Sequence, residues 1–159
     1  MVVFTPKSML RNKAAVSSVD DFTAGKFESV IADQTVEAST VRTVLLTSGK
    51  LYYELDNYRR AHDITDVAIV RLEQIYPVPR RKLSHVLEAY PNITDIRWVQ
   101  EEPANQGSWT FLALALPEMI PRLHGIKRVS RRAMAAPSAG SARVHEVEQA
   151  AVITAAFAH

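Results

Sequence analysis

Four runs rich in aliphatic and β-branched residues, at positions 41–46, 66–72, 95–100 and 126–130, punctuate this chain. Each is followed, directly or after a loop, by a segment suited to a helix. That alternation is the strongest constraint on the fold. Parallel strands cannot be joined by a tight turn and need a crossover, usually a helix, so repeated strand-helix units imply a parallel sheet. The runs are continuously apolar rather than alternating, as expected of strands covered on both faces. The expectation is an α/β domain with a doubly wound, mainly parallel sheet and helices on both faces.

The helical segments are legible in their periodicity. Leu51, Leu55, Tyr58 and Arg59 recur at helical spacing up to Ala61, and Leu83, Val86 and Leu87 share a face within residues 80–89. A helix is expected from Trp109 to about Leu116, broken or kinked at Pro117, and a closing helix over 145–157. Residues 1–40 lack the repeat and read as an arm or linker from a preceding domain, able to add an edge strand to the domain at 41–159. Within the arm, residues 2–4 suit a short buried strand stopped by Thr5-Pro6, and residues 7–15 suit about two helical turns. A strand at the first residues looks cut open, so a piece of a larger protein is expected.

At 159 residues the chain suits one domain plus an arm. The formal net charge of +2 is too small to argue for a nucleic-acid partner. No apolar run approaches the roughly 20 residues that span a bilayer, and the first residues lack the pattern of a signal peptide. No membrane partner is expected. The absence of cysteine excludes disulfides, cysteine metal sites and cysteine nucleophiles, and it fits a reducing cytoplasm.

The least ordinary stretch is Gln100-Glu101-Glu102-Pro103-Ala104-Asn105-Gln106-Gly107-Ser108-Trp109, an acidic, amide-rich loop at a strand's carboxyl end. Loops at that end of an α/β sheet carry function. Adjacent carboxylates invite an acid/base role, but neighbours on a strand end point in opposite directions. That favours a structural turn or a subunit contact. Ser48-Gly49-Lys50 has two readings: a tight turn with a helix cap, or an anion held by backbone N–H groups and Lys50. The longer glycine-rich nucleotide fingerprints are absent, which favours the turn.

Arg80-Arg81-Lys82 opens a helix, where the dipole disfavours cations. It is either solvated surface or a seat for a polyanion. Gln74 stands nearby with an amide able to read a polar ligand, and Lys26 and Ser29, three apart, would share a helix face. The histidines at 62, 85, 124, 145 and 159 lack zinc-motif spacing. His145 suits helix capping or an interface, and Ser138 and Ser141 have no base at a recognisable spacing. The small-residue loop between Arg131-Arg132 and Arg143 suits contact with a partner. No self-sufficient catalytic site emerges.

Motifs standing in order along the chain point to a family. They are Thr5-Pro6-Lys7-Ser8 with Leu10-Arg11, Ser48-Gly49-Lys50 with Tyr52-Tyr53, and Arg71-Leu72-Glu73-Gln74-Ile75-Tyr76-Pro77. Gln100-Glu101-Glu102-Pro103 follows, with Asn105-Gln106-Gly107 and Trp109, and then Ala136-Pro137-Ser138-Ala139-Gly140-Ser141 with His145 and Glu148-Gln149. Over nearly its whole length the chain resembles the C-terminal domain of the first component of thiamine-dependent 2-oxoglutarate dehydrogenase, in its actinobacterial multifunctional decarboxylase/dehydrogenase form.

The resemblance implies a fold like the transketolase C-terminal domain, within a large homodimeric cytoplasmic enzyme of the citric acid cycle that works with a dihydrolipoyl acyltransferase component. It implies thiamine diphosphate and Mg2+ bound in earlier domains, where 2-oxoglutarate loses carbon dioxide. Nothing here matches the family's diphosphate-metal motif or its thiamine-activating glutamate, so this chain alone is expected to be inactive, with an architectural and regulatory role. Acetyl-CoA activates the actinobacterial form. Position for position, Lys26, Ser29, Gln74, Arg81 and Lys82 would be its contacts, with Arg80 a close neighbour. Two other readings stand beside this one: a free-standing coenzyme A- or nucleotide-binding module, and the equivalent domain of another thiamine enzyme, a transketolase or a pyruvate dehydrogenase β-subunit.

Overall fold

The computed structural model describes residue 2 and residues 5–158. Five strands form one sheet: β1 Val30–Ile31, β2 Thr43–Thr47, β3 Val67–Leu72, β4 Asp95–Pro103 and β5 Lys127–Arg131, in the order β1-β3-β2-β4-β5. The four long strands run parallel, as the strand-helix alternation requires, and β1 pairs antiparallel with β3. The helices are α1 Val19–Thr23, α2 Leu51–Ala61, α3 Arg80–Glu88, α4 Trp109–Met119 and α5 Ala142–Phe157.

Side chains alternate across a strand, and β2 shows how both faces are filled. Val44 and Leu46 cluster with Leu83 and Leu87 of α3, Leu112 and Leu116 of α4, and Trp98. Leu45, between them, clusters with Leu51 and Leu55 of α2 and Val152, Ala156 and Phe157 of α5. All five residues of β2 are buried. From β2 the chain steps to β3 on one side, then returns across β2 to β4 on the other. Successive crossovers therefore diverge between β2 and β4, and a crevice opens at their carboxyl ends.

Several expectations need correction. β4 runs on past Gln100 to Pro103, through an irregularity after Val99 that lets Pro103 pair with Arg131, so Glu101 to Pro103 is strand and not loop. Pro117 does not end α4. The helix continues to Met119 because Leu112, Leu116 and Ile120 are held in the core, and Ile120 N–H donates to Leu116 O at 2.8 Å. The last helix starts at Ala142, three residues before His145.

In the arm, residues 7–15 form two separate 3-10 turns, Lys7–Met9 and Lys13–Ala15. The unforeseen α1 is opened by a capping box in which Ser18 and Asp21 satisfy each other's backbone N–H groups. The strand expected over residues 2–4 lies, apart from an exposed Val2, outside the described residues. The arm does supply an edge strand, β1, and Val30 is buried in the core.

Candidate functional site

Two loops singled out in the sequence face each other across the switch point. A cleft of about 340 Å3 there is lined by Ser48, Gly49 and Lys50 on one side and Gln100, Glu101 and Glu102 on the other. Its charges are consumed internally. Lys50 Nζ pairs with Glu101 and, at 3.1 Å, with Glu54. Gln149 of α5 donates to both carboxylates, at 2.8 Å to Glu54 and 3.0 Å to Glu101, and itself accepts from Arg131 at 2.8 Å. Burial pushes the Lys50 ammonium down, but the hydrogen bonds and charges of Glu101 and Glu54 outweigh it and hold the group above its ordinary value.

Lys50 is thus held as a cation between two counter-ions of its own. Ser48 makes no capping bond to α2. Gly49, in the left-handed region at φ +66°, turns the chain and donates its N–H to Glu73 at 3.4 Å. The tight turn is what forms, and a carboxylate of the chain itself faces its N–H.

Gln100 explains the acidic loop. Its buried side chain accepts from Trp98 Nε1 at 2.8 Å and from Trp109 N–H at 3.0 Å. It donates to the carbonyls of Glu102, Pro103 and Gln106 at 3.2, 3.2 and 2.8 Å. One amide therefore ties the strand end to the start of α4. Gly107 completes the wrap at φ +68°, and a Cβ there would lie 2.9 Å from Glu102 Cβ and 3.0 Å from Gln100 Nε2. Glu101 turns inward to Lys50 and Glu102 is exposed, so the two carboxylates do not work as a pair. Asn105 and Gln106 both donate to Met134 O at 3.0 Å, which pins the small-residue loop to this turn. His145, in the first turn of α5, is bonded through Nδ1 to Arg131 at 2.9 Å.

At the opposite edge of the central pair, the arm brings together most of the other predicted residues. Ser29 O accepts from the N–H groups of Glu73 and Gln74 at 3.0 and 3.2 Å, which sets Ser29 beside Gln74. The Gln74 amide donates to Pro77 O at 2.7 Å. Lys82, in the first turn of α3, pairs with Glu28, the residue before Ser29. Lys26 and Ser29 do not share a helix, because α1 ends at Thr23 and Gly25 turns so close to Asp21 that a Cβ there would lie 2.1 Å from its carbonyl oxygen. Lys26 therefore sits outside any helix or strand. Lys26, Arg80 and Arg81 are exposed, and none of them is in an ion pair among the described residues.

Asp33 and Arg59 were not foreseen as partners. The Asp33 carboxylate accepts from Ile69 N–H at 2.8 Å, beyond the reach of β1, and pairs with Arg59, which also donates to Asp56 at 2.7 Å and Val67 O at 3.1 Å. The signal was present: Arg59 falls on the apolar stripe of α2, and a cation buried there requires a carboxylate. Glu28 and Gln149 carried no such signal, since both depend on contacts between distant segments.

No group of three or more His, Cys, Asp or Glu side chains that could hold a metal ion is present among the described residues. The carboxylates at the switch point are already held by Lys50 and Gln149. No helix of the described residues is long and apolar enough to cross a membrane.

The sequence profile of the family described as 2-oxoglutarate dehydrogenase C-terminal matches residues 16–157. The chain is 54% identical over 164 residues to the multifunctional 2-oxoglutarate metabolism enzyme of Mycobacterium sp. (strain JLS). It is 56% identical over 163 residues to the protein of the same name from Mycolicibacterium vanbaalenii. Each alignment covers 99% of this chain but only 13% of the relative. The chain belongs to the 2-oxoglutarate dehydrogenase C-terminal family.

Proposed function

We propose that this domain is structural and regulatory: it supports the homodimer of a thiamine diphosphate-dependent 2-oxoglutarate dehydrogenase/decarboxylase, with transketolase-type C-terminal architecture, and contributes to an acetyl-CoA site. The carbon chemistry, with thiamine diphosphate and Mg2+, takes place in the remainder of the enzyme, which delivers its acyl product to a dihydrolipoyl acyltransferase partner in the cytoplasm. Lys26, Ser29, Gln74, Arg81 and Lys82 are the effector contacts. The observation that carries this reading is the division of charge. At the sheet's carboxyl end, cations and carboxylates neutralise one another, whereas Lys26, three residues before Ser29, and Arg81, next to Lys82, are exposed and in no ion pair among the described residues.

Phosphates and a pantetheine amide ask for that set. Arg81 and Lys82 supply charge to phosphate oxygens, and Ser29 and Gln74 offer a hydroxyl and an amide. In the enzyme carrying this chain, the double substitution Arg81→Ala with Lys82→Ala is expected to weaken acetyl-CoA binding by about tenfold or more, since each charge-assisted bond contributes about 1.5–3 kcal/mol. Calorimetric titration and the ratio of activated to unactivated rate read the effect. Unchanged binding and activation would refute the assignment.

A further inference from the structure

We infer that Glu28 is an internal stand-in for an effector phosphate, and that the effector must displace it from Lys82; this rests on the effector reading above. Three consecutive cations open α3, yet among the described residues only Lys82 is paired, and its carboxylate comes from the arm. Glu28 stands two residues after Lys26 and one before Ser29. It therefore sits inside the proposed site, where it occupies the cation that a ligand phosphate needs.

The geometry allows displacement without dismantling the sheet. Ser29 is pinned through its carbonyl to Glu73 and Gln74, and β1 follows at once, so the strand register does not depend on the Glu28 side chain. Residues 25–28 lie outside any helix or strand. Lys82 and Glu28 retain side-chain exposures of 38% and 45%, so solvent screens the pair and it adds little to folding. A phosphate group presents more charge and more acceptor atoms than a carboxylate, and Arg81 is beside Lys82 to share them. Glu28 then swings into solvent. The contact sets a threshold: binding is weakened by the work of breaking it, and removing it shifts the balance toward the bound state.

The test is titration of the whole enzyme with acetyl-CoA at fixed salt. Glu28→Gln is expected to lower Kd about three- to fivefold, the range an exposed ion pair supports. Glu88→Gln removes a carboxylate from the same helix, in the groove it shares with Arg80 and Arg81, and is expected to leave Kd within about twofold. In a Lys82→Ala background the gain from Glu28→Gln is expected to vanish. An unchanged or weaker Kd for Glu28→Gln, where the Arg81/Lys82 double variant does lose binding, overturns this inference and leaves the effector site standing. Equal gains from Glu28→Gln and Glu88→Gln, or a gain that persists without Lys82, overturn it as bulk electrostatics. Indifference of every variant, the Arg81/Lys82 double included, overturns both.

Discussion

Asp33→Ala is expected to destabilise the folded chain by about 3–5 kcal/mol, because it removes one of the two carboxylates that compensate a buried cation and leaves a backbone N–H without its acceptor. Arg59 is 3% exposed, and it donates to Asp33, to Asp56 and Thr35 at 2.7 Å each, and to Val67 O at 3.1 Å. Removing Asp33 leaves the guanidinium short of its best partner and also orphans Ile69 N–H, which has no other strand to bond to at that point of the edge. Urea unfolding measures the loss. Replacing the pair together, as Asp33→Ala with Arg59→Met, is expected to cost less than Asp33→Ala alone, since the buried guanidinium is gone and Asp56 keeps Arg60 at 2.8 Å.

The same contact carries a pH dependence. Burial alone pushes the Asp33 carboxyl up, but bonds from Ile69 N–H, Thr35 and Arg59 outweigh it and hold the group below its ordinary value. A carboxyl whose folded pKa is depressed contributes stability that is fully present above its unfolded pKa, about 3.9. That stability is lost as the pH falls through the lower folded value. The wild-type chain should therefore lose stability below about pH 4 more steeply than Asp33→Ala, which has no such group to titrate.

Gln100→Leu is the second large effect, expected at about 2–4 kcal/mol. Leucine conserves bulk but returns none of the five hydrogen bonds. Trp98 Nε1 loses its partner in the core, and the carbonyls of Glu102, Pro103 and Gln106 lose their common donor. Unfolding followed by tryptophan fluorescence reports it directly, with Trp98 and Trp109 both bonded to that side chain. A loss below about 1 kcal/mol would mean that water replaces the amide and that the loop is not organised by it.

How much of this was legible in the residues depended on the range of the interaction. The parallel sheet followed from the apolar runs around Val44, Ile69 and Trp98, whose pattern is local. Pro117 misled because its helix-breaking tendency is also local, whereas Leu116 and Ile120 are held by the core. Lys50 was read correctly as part of a turn, but its pairing with Glu101 joins residues 51 apart and appears in no spacing. Arg59 announced itself by falling on a buried stripe. Glu28, on an exposed stretch with its partner 54 residues away, announced nothing. Of the proposed effector contacts, the fold sets Ser29, Gln74 and Lys82 along one edge, while no side-chain contact fixes Lys26 or Arg81.

On the proposed reading this domain holds and senses but performs no carbon chemistry. Supplying the purified chain with 2-oxoglutarate, thiamine diphosphate and Mg2+, and measuring both carbon dioxide release and calorimetric uptake of the cofactor, puts that reading to the test. The expected result is neither turnover nor saturable binding. Saturable thiamine diphosphate binding, or decarboxylation that follows the concentration of this chain, would contradict it.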